Sequence, residues 1–392
     1  MFKRFVACAA SIPLLVSLAL PASAAESQNK EASFSPAVEK QSAPKELIVH
    51  FKDSVSNASA KKIISQNGGQ ITDKSDQFYV VKVNSSANDA VKKYKNLTSV
   101  EYAEPNATFH ATYVPNDPFY KTQQYAPQKV AAEQAWDVTQ SSSSVKIAVV
   151  DTGVDYNHPD LAGKVIKGHD FVADDEDPID ENEHGTHVAG IAAANTNNGV
   201  GVAGLAPKAS ILAVRVLDAD GSGSLDDVAQ GIRYAADQGA QVINLSLGGN
   251  LGTKTLEDAV NYAWNKGSVV VAAAGNSGVN LPSYPAYYSN AIAVAATDQN
   301  DQKASFSNFG TWVDIAAPGV DIYSTIPLNR YASFSGTSMA SPVVAGVAGL
   351  LAAQGKSASQ IRAALENTAD PVTGTGALFQ HGRVNAAKAV QQ

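Results

Sequence analysis

The sequence predicts a three-layer α/β/α protein, in which a mostly parallel sheet lies between helices, preceded by a small ferredoxin-like α+β domain. Apolar runs without strict alternation predict parallel strands that are covered on both faces. Helical patterns separate these runs, as an α/β sandwich requires. In residues 46–106, three strand patterns and two helix patterns suggest a small split βαβ domain of the order β-α-β-β-α-β.

Residues 1–24 have the pattern of a secretory signal peptide. Lys3 and Arg4 precede an apolar stretch, and small residues at its end form a cleavage site. A membrane anchor is the alternative interpretation. However, Pro13 interrupts the short apolar stretch, and no later segment is long and apolar enough to span a bilayer. We therefore expect a secreted, extracellular protein.

Three further parts follow the signal peptide. Residues 25–45 are rich in Ser, Ala, Gln, Lys and Glu, a composition typical of a flexible spacer. Residues 46–112 form the predicted small domain, and residues 113–392 the predicted large one. The strand and helix patterns of the small domain lie at 46–52, 58–67, 77–84, 87–96 and 100–106.

Strand and helix patterns alternate along the large domain. The strands are predicted at 146–151, 211–217, 242–247 and 268–274, and the helices at 185–194, 225–238 and 255–266. Asp226 and Asp227 are suitable caps for a helix start, and Gly239 and Gly267 for helix ends. In parallel sheets of this kind, functional sites form at the carboxyl ends of the strands.

The formal net charge is −8, and the acidic excess lies in residues 113–392. This balance argues against nucleic acid or an anionic membrane as a partner, and it favours solubility and cation binding. Cys8, the single cysteine, lies within the signal peptide, so the mature chain would contain no disulfide. A secreted protein without disulfides needs another source of stability, and a bound metal is one candidate.

We expect the protein to be a monomer.

Three short segments carry the residue types of a serine hydrolase. The segments AVVDTG, HGTHVAG and GTSMASP contain Asp151, His184 and Ser338 in that order. A carboxylate at the end of a buried strand can orient an imidazole. A histidine suits a base because its ordinary pKa lies near neutrality. A serine at the start of a buried helix has free backbone N–H groups nearby for a developing oxyanion.

Each of these residues also has an ordinary structural interpretation. Ser338 could cap its helix, and Asp151 could form a turn. His187 lies three residues after His184, so spacing alone does not choose the base. The two histidines lack the glutamate and the i, i+4 spacing of a zinc-protease helix, which disfavours zinc. Asn276, in AAAGNSG, could donate its amide to an oxyanion or could simply form a turn.

The four segments resemble those of the subtilisin-like serine proteases, and the resemblance covers nearly all of residues 113–392. The order Asp, His, Ser is the order of that family. The resemblance implies a serine endopeptidase with Ser338 as nucleophile, His184 as base, Asp151 as orienting acid and Asn276 as oxyanion donor. The rival functions are a fold-mate that only binds proteins, which should lack one of these residues, and an esterase, which should carry a G-x-S-x-G segment.

Residues 46–109 resemble the inhibitory pro-domain of the same family. The resemblance implies a domain that helps the catalytic part to fold, covers its cleft as an intramolecular inhibitor and is then removed by autocatalytic cleavage. The segment YVPNDPFY is similar to a mature start, which predicts the cut near Thr112–Tyr113. The full chain would therefore be an inactive precursor, or zymogen.

The resemblance also assigns residues to the binding of protein and peptide substrates. An extended peptide would be clamped between two strand edges, and such backbone pairing is indifferent to side chains and implies broad specificity. The edges would consist of Gly221, Ser222 and Gly223 on one side and of Leu245, Ser246, Leu247 and Gly248 on the other. The primary pocket would be lined by Ala273, Gly275 and Ser283, which implies a preference for apolar or aromatic residues.

Calcium is the cofactor that the resemblance implies, and oxygen ligands from several chain segments suit this ion. A strong site would consist of the side chains of Asp117, Asp160 and Asn198 and the carbonyls of Asn195, Val200 and Val202. A second site would use Asp170, Asp175 and Asp177, although Ala173 and Ile179 replace possible ligands there. A weaker third site would use Asp314 and the carbonyls of Ala286, Tyr288 and Ala291.

Overall fold

A computed structural model of the protein describes residues 46–85, 87–106 and 113–392. The predicted signal peptide and spacer, and Thr112 of the predicted cut, lie outside the described residues. Within the described ranges, no helix is both long and apolar enough to cross a membrane.

The small domain has the predicted β-α-β-β-α-β order. Its elements are β1 (Glu46–Phe51), α1 (Asn57–Gln66), β2 (Gln70–Lys74), β3 (Tyr79–Lys82), α2 (Ala87–Lys95) and β4 (Val100–Pro105). The sheet is antiparallel, with the strand order β2-β3-β1-β4. Its core includes the buried side chains of Leu47, Val49, Ile64, Val81 and Tyr94. The sequence pattern did not locate β2, because this edge strand is mostly exposed and lacks apolar alternation.

The large domain is built on a parallel sheet, as predicted. Its strands are β5 (Lys146–Asp151), β6 (Val165–Asp170), β7 (Ser210–Arg215), β8 (Val242–Leu245), β9 (Val269–Ala273), β10 (Ala291–Thr297) and β11 (Ile315–Pro318). The order across this seven-stranded sheet is β11-β10-β9-β8-β5-β7-β6, and every neighbouring pair is parallel. A separate antiparallel hairpin is formed by β12 (Ile322–Ile326) and β13 (Arg330–Phe334).

Helices cover both faces of the sheet. They are α3 (Ala126–Lys129), α4 (Ala132–Trp136), α5 (His184–Ala193), α6 (Leu225–Asp237), α7 (Lys254–Asn265), α8 (Thr337–Ala353), α9 (Ala358–Asn367) and α10 (Ala386–Ala389). Along β5, Ile147 and Val149 belong to the core that includes residues of α5, α8 and α9, whereas Ala148 and Val150 belong to the core that includes residues of α6 and α7. All four side chains are fully buried. Burial on both faces explains why the strand is apolar throughout.

Helix α6 corrects one detail of the prediction. Its cap is Ser224, whose hydroxyl accepts a hydrogen bond from the N–H of Asp227. Asp226 and Asp227 lie in the first turn instead, where their charges complement the helix dipole. The predicted helix ends are confirmed: Gly239 and Gly267 adopt left-handed φ angles of +72° and +95° just past α6 and α7.

Candidate active site

The chain changes its direction of winding between β5 and β8, which are neighbours in the sheet. The connections after β5 lead toward β7 and β6, whereas those after β8 lead toward β9, β10 and β11. A crevice forms outside the carboxyl ends of the strands at such a switch point. Asp151 is the last residue of β5, and Ser246 directly follows β8, so both lie at this crevice.

His184 is the first residue of α5, and its imidazole contacts the end of β5. Its Nδ1 atom lies 2.7 Å from Oδ1 of Asp151. The Asp151 carboxylate is fully buried, and the same oxygen accepts a 2.8 Å hydrogen bond from the N–H of Thr152. Because a carboxylate only accepts, Nδ1 of the neutral imidazole carries the proton and Nε2 keeps a free lone pair. A base for a serine hydroxyl requires this tautomer.

The pKa of His184 is raised above its ordinary value. Burial alone would lower it, but the charge of Asp151, the hydrogen bond to Asp151 and the charge of Asp180 outweigh burial. A histidine must be neutral before it can take a proton from a serine. A site that uses His184 as its base should therefore lose activity as the pH falls through this raised pKa.

His187 makes a different set of contacts. Its ring stacks on Phe334 with a centroid distance of 4.3 Å, and its Nε2 lies 3.0 Å from the carbonyl oxygen of Ala332. The side chain is fully buried, and burial, together with the nearby His184, lowers its pKa to about 3. This imidazole stays neutral and ties α5 to the β12–β13 hairpin. Of the two histidines, His184 is the one that bonds to a carboxylate.

Ser338 is the second residue of α8, whose N-cap is Gly336. Its hydroxyl donates a 3.0 Å hydrogen bond to the carbonyl of Ser246, and the Ser246 hydroxyl donates a 2.7 Å bond to the carbonyl of Ser338. The Ser338 carbonyl is free to accept because Pro342, one turn later, has no N–H. Ser338 is therefore bonded to the end of β8 and does not cap its helix.

The described residues show no hydrogen bond between His184 and Ser338. The two residues are nevertheless connected to one open cleft. His184 lines this cleft directly, and Ser338 is bonded to Ser246, which also lines it. Bonds between a base and its nucleophile are often long before substrate binds, so this geometry is compatible with catalysis.

A buried polar network holds β8 against α8. Asn244 is fully buried in β8, and its Nδ2 donates a 2.9 Å hydrogen bond to the Ser246 hydroxyl. Its Oδ1 accepts a 2.7 Å bond from the hydroxyl of Ser341. An unpaired buried amide would cost about 1–3 kcal/mol, so the paired network favours one placement of Ser246 beside Ser338. Asn244 was not among the predicted site residues, although a polar residue within the apolar run VINLSL is a visible signal.

Asn276 is exposed just past β9, and Thr337 orients its amide. The Oδ1 of Asn276 accepts hydrogen bonds from the N–H and the hydroxyl of Thr337, at 2.8 and 2.9 Å. The Thr337 hydroxyl in turn accepts a 3.0 Å bond from the N–H of Gly275. Nδ2 of Asn276 has no partner among the described residues. A Cβ placed on Gly336 would lie 3.5 Å from this Nδ2 and 3.6 Å from the backbone nitrogen of Ser338, so both donors border one small space.

Most of the predicted peptide-binding residues line the cleft. These residues are Gly221, Ser222, Gly223, Ser246, Leu247 and Gly248. Leu245 packs its fully buried side chain in the core, so only its backbone is left for contact with a peptide.

Of the predicted pocket residues, Gly275 and Ser283 lie close together, and all three residues are small. A Cβ placed on Gly248 would lie 2.8 Å from the hydroxyl of Ser283, and one placed on Gly275 would lie 3.4 Å from the Cβ of Ser283. Ala273 and Ser283 are each 4% exposed.

The first predicted calcium set contains two nearby buried carboxylates. Asp160 is fully buried and accepts hydrogen bonds from Nδ2 of Asn198 at 2.8 Å and from the N–H of Val202 at 2.7 Å. In Asp117, Oδ2 accepts a 2.7 Å bond from the N–H of Asn197, but Oδ1 is buried without a partner among the described residues. Burial raises the pKa of Asp117, and it raises that of Asp160 to about 6. An unpartnered oxygen beside a second buried carboxylate fits a hard cation with oxygen ligands.

The loop that would supply the carbonyl ligands wraps around Asp160. The N–H of Asn195 donates a 2.7 Å bond to the Asp160 carbonyl, and Val202 bonds its carboxylate. Val200 lies between these two contacts and is 37% exposed. The three predicted carbonyls therefore belong to one segment around the same carboxylate.

The second predicted set is paired with cations of the protein. Asp170 is 1% exposed, and Nη1 of Arg215 lies 3.2 Å from its Oδ2. Asp177 is exposed, and Nζ of Lys167 lies 3.0 Å from its Oδ1. Asp175 accepts a 2.8 Å hydrogen bond from the N–H of Asp177. These carboxylates fit a calcium ion less well than the first set, because an ion would compete with the two side-chain cations.

The third predicted set surrounds an arginine. Nη1 of Arg362 donates to the carbonyl of Ala291 at 3.2 Å, and Nη2 lies 2.9 Å from Oδ1 of Asp314. The carbonyl of Tyr288 accepts a 2.9 Å bond from the N–H of Ala291, and Ala286 is buried. The guanidinium already supplies a positive charge at this position, so the set does not fit a calcium ion well.

Comparison with known proteins places these residues in a family. A model of the Subtilase family matches residues 142–384, and a model of the Fervidolysin N-terminal prodomain matches residues 29–106. The thermophilic serine proteinase of Bacillus sp. (strain AK1) is 58% identical over 349 residues, which are 88% of this chain and 87% of that protein. Thermitase of Thermoactinomyces vulgaris is 68% identical over 279 residues, 71% of this chain and 100% of that protein. Halolysin of Haloferax mediterranei is 51% identical over 299 residues, 74% of this chain and 57% of that protein.

The Subtilase match contains Asp151, His184, Asn276 and Ser338, and the prodomain match contains the small domain. The chain belongs to the subtilase family, and it is a subtilisin-like serine endopeptidase with an N-terminal prodomain.

Proposed function

We propose that the chain is the self-processing precursor of a secreted, calcium-stabilised endopeptidase of broad specificity. The observation that carries the chemistry is the 2.7 Å contact between Asp151 and His184 at the cleft. The Ser338 oxygen attacks the peptide carbonyl while His184 takes the proton of the Ser338 hydroxyl. His184 then gives that proton to the leaving amine. Water repeats these steps and releases the acyl group from Ser338. Nδ2 of Asn276 and the N–H of Ser338 stabilise the oxyanion.

Broad specificity is supported by the residues of the cleft. The Gly221–Gly223 and Ser246–Gly248 segments would pair with the backbone of an extended peptide, which every substrate has. Ala273 and Ser283 have small side chains, which would suit a pocket for a large apolar or aromatic residue before the cut bond.

The self-processing route predicts a defined mature product. Residues 1–24 direct export, and residues 46–112 inhibit the catalytic domain until the Thr112–Tyr113 bond is cut. Intact mass and N-terminal sequencing of the secreted protein should therefore give a product of residues 113–392 that begins at Tyr113. A fully active enzyme that still begins at residue 25 would contradict inhibition by the prodomain.

One calcium ion is proposed, held by Asp117, Asp160 and Asn198 with carbonyls of the loop around Asp160. The unpartnered Oδ1 of Asp117 supports this choice. When bound, the ion would neutralise two buried carboxylates and tie that loop to the domain. Its contribution is to stability.

Removing calcium should lower the unfolding temperature of the mature enzyme, because a ligand bound only to the folded state stabilises it by mass action. The stabilisation is about 2.7 kcal/mol at a free ion concentration of 100 times Kd. For a domain of this size, that free energy corresponds to roughly 5–10 °C. Calorimetry of the inhibited enzyme, with calcium and with chelator, measures the difference. An unchanged melting curve in chelator would argue against structural calcium.

Two variants locate the ion. Asp160→Asn should abolish the response of the melting temperature to calcium, because it removes a charged ligand of the first set. Asp177→Asn should keep that response, because Lys167 already pairs with this carboxylate. The reverse result would place the ion in the second set.

A further inference from the structure

Asp180 joins the two chain segments that carry Asp151 and His184. It is 5% exposed. Its Oδ1 accepts a 2.9 Å hydrogen bond from the hydroxyl of Thr152, the residue after Asp151. Its Oδ2 accepts bonds from the N–H and the hydroxyl of Thr186, at 2.8 and 2.6 Å, in the first turn of α5. One carboxylate therefore attaches the end of β5 to the start of the helix that begins with His184.

The same carboxylate also closes the loop before α5. Oδ1 of Asp180 accepts hydrogen bonds from the N–H groups of Asn182 and Glu183, at 2.9 and 3.1 Å. Glu183 is the N-cap residue, with φ +107°, and its own side chain makes no cap bond. The N–H of Gly185 instead bonds to the Thr152 hydroxyl at 2.9 Å. Asp180 and Thr152 thus accept hydrogen bonds from backbone N–H groups of the first helical turn, which the side chain of Glu183 does not bind. The negative charge of Asp180 complements the helix dipole.

Charged and titratable groups reach the surroundings of His184 from several elements: Asp151, Asp180, Glu183, His187, Asp220 and Arg330. Glu183 is paired with Arg330 at 2.7 Å, and His187 is neutral. Burial lowers the pKa of His184, and the charges of Asp151 and Asp180 both act against burial and raise it. Asp180 is therefore a second carboxylate that favours the imidazolium, although it does not contact the ring.

We propose that Asp180 is a positioning residue for catalysis, which fixes His184 relative to Asp151 and supplies a second negative charge toward the imidazolium that forms during the reaction. The inference rests on the proposed role of His184 as the base. It adds a residue outside the triad, whose two oxygens accept five hydrogen bonds from the protein.

Asp180→Asn is the main test, because asparagine keeps the shape but loses the charge and turns one oxygen into a donor. We expect kcat of the processed enzyme to fall roughly 10- to 100-fold, with little change in KM, since a small displacement of a catalytic group has effects of this size. The acid limb of the pH profile of kcat/KM, where activity falls as His184 is protonated, should move to lower pH. A charge that favours protonated His184 is lost. Active-site titration corrects for any protein that has not folded. Glu176→Gln removes an exposed charge from the same acidic loop and should change neither quantity.

Substitutions of Thr152 separate the effect of the position of His184 from the effect of the charge of Asp180. Thr152→Val keeps the Asp180 carboxylate but removes the hydroxyl that joins it to Gly185, so kcat should fall while the acid limb stays in place. Thr152→Ser should restore kcat. These two variants decide the question if Asp180→Asn does not fold.

The inference is overturned if Asp180→Asn keeps the parent kcat and acid limb, or if Thr152→Val keeps the parent kcat. Ser338→Ala distinguishes this outcome from failure of the proposed function. An inactive Ser338→Ala beside a normal Asp180→Asn removes only the role of Asp180. An active Ser338→Ala would instead remove the proposed chemistry itself.

Discussion

Ser338→Ala should be secreted as an uncut precursor without measurable peptidase activity. The substitution removes the only atom of this side chain that can attack a carbonyl, and the hydroxyl lies beside Ser246 at the cleft. Loss of the corresponding serine in a subtilisin lowers kcat by about 2 × 10⁶-fold, which sets the expected magnitude. Because the proposed route cuts the prodomain at the same site, processing should stop together with peptide hydrolysis. Intact mass of the secreted variant and hydrolysis of a chromogenic peptide measure the two effects.

Two comparisons make this experiment specific. Ser333→Ala removes an exposed hydroxyl from β13 and should be processed normally. Addition of a trace of active enzyme to the Ser338→Ala precursor should cut it at Thr112–Tyr113, because the bond itself is unchanged. Release of a mature fragment from Ser338→Ala without added protease would contradict the role of Ser338.

Asp151→Asn should lower kcat by about 10⁴-fold with the fold intact, the magnitude known for this substitution in another serine-protease triad. Asp151 accepts a 2.7 Å hydrogen bond from the protonated Nδ1 of His184. Nε2 is therefore left free to act as the base. The amide of an asparagine can donate to Nδ1, which favours the opposite tautomer. The negative charge that stabilises the imidazolium is lost at the same time.

The pH profile of Asp151→Asn provides a second readout. Burial lowers the pKa of His184, and the charge and hydrogen bond of Asp151 oppose that effect. Without them the pKa of His184 should fall, so the residual activity should persist to lower pH than in the parent. Assays of enzyme whose active sites have been titrated, carried out across a range of pH, give both the residual kcat and the position of the acid limb. A loss below tenfold, or an acid limb displaced to higher pH, would contradict the orienting role of Asp151.

The buried strands were the most predictable part of the fold. Predicted strands at 146–151 and 268–274 correspond closely to β5 and β9, because sheet strands covered on both faces are apolar throughout. The edge strand β2 escaped prediction because its exposed side chains carry no such pattern. The sequence predicts Asp226 and Asp227 as suitable caps of α6, but Ser224 caps the helix. Both residue types suit a helix start, and only geometry decides between them.

The site was predictable where its residues lie in short segments, and less so where they meet across the fold. Asp151, His184 and Ser338 stand in recognisable motifs, whereas Asp180 is bonded to Thr152, which is distant in the sequence. Such contacts leave no periodic signal in a sequence. The same reason applies to the predicted calcium sets. Their carboxylates are visible in the sequence, but the cations that pair with two of the sets, including Arg215 and Arg362, come from other elements.

Covalent labelling of the mature enzyme by a phosphonofluoridate tests the central claim most directly. A serine oxygen made nucleophilic by His184 forms a bond to phosphorus and displaces fluoride, so the label reports activation and position together. Peptide mass spectrometry should find one adduct, on Ser338, that grows in step with the loss of activity and does not form in His184→Ala. An adduct on a different serine, or full activity after complete modification of Ser338, would contradict the account.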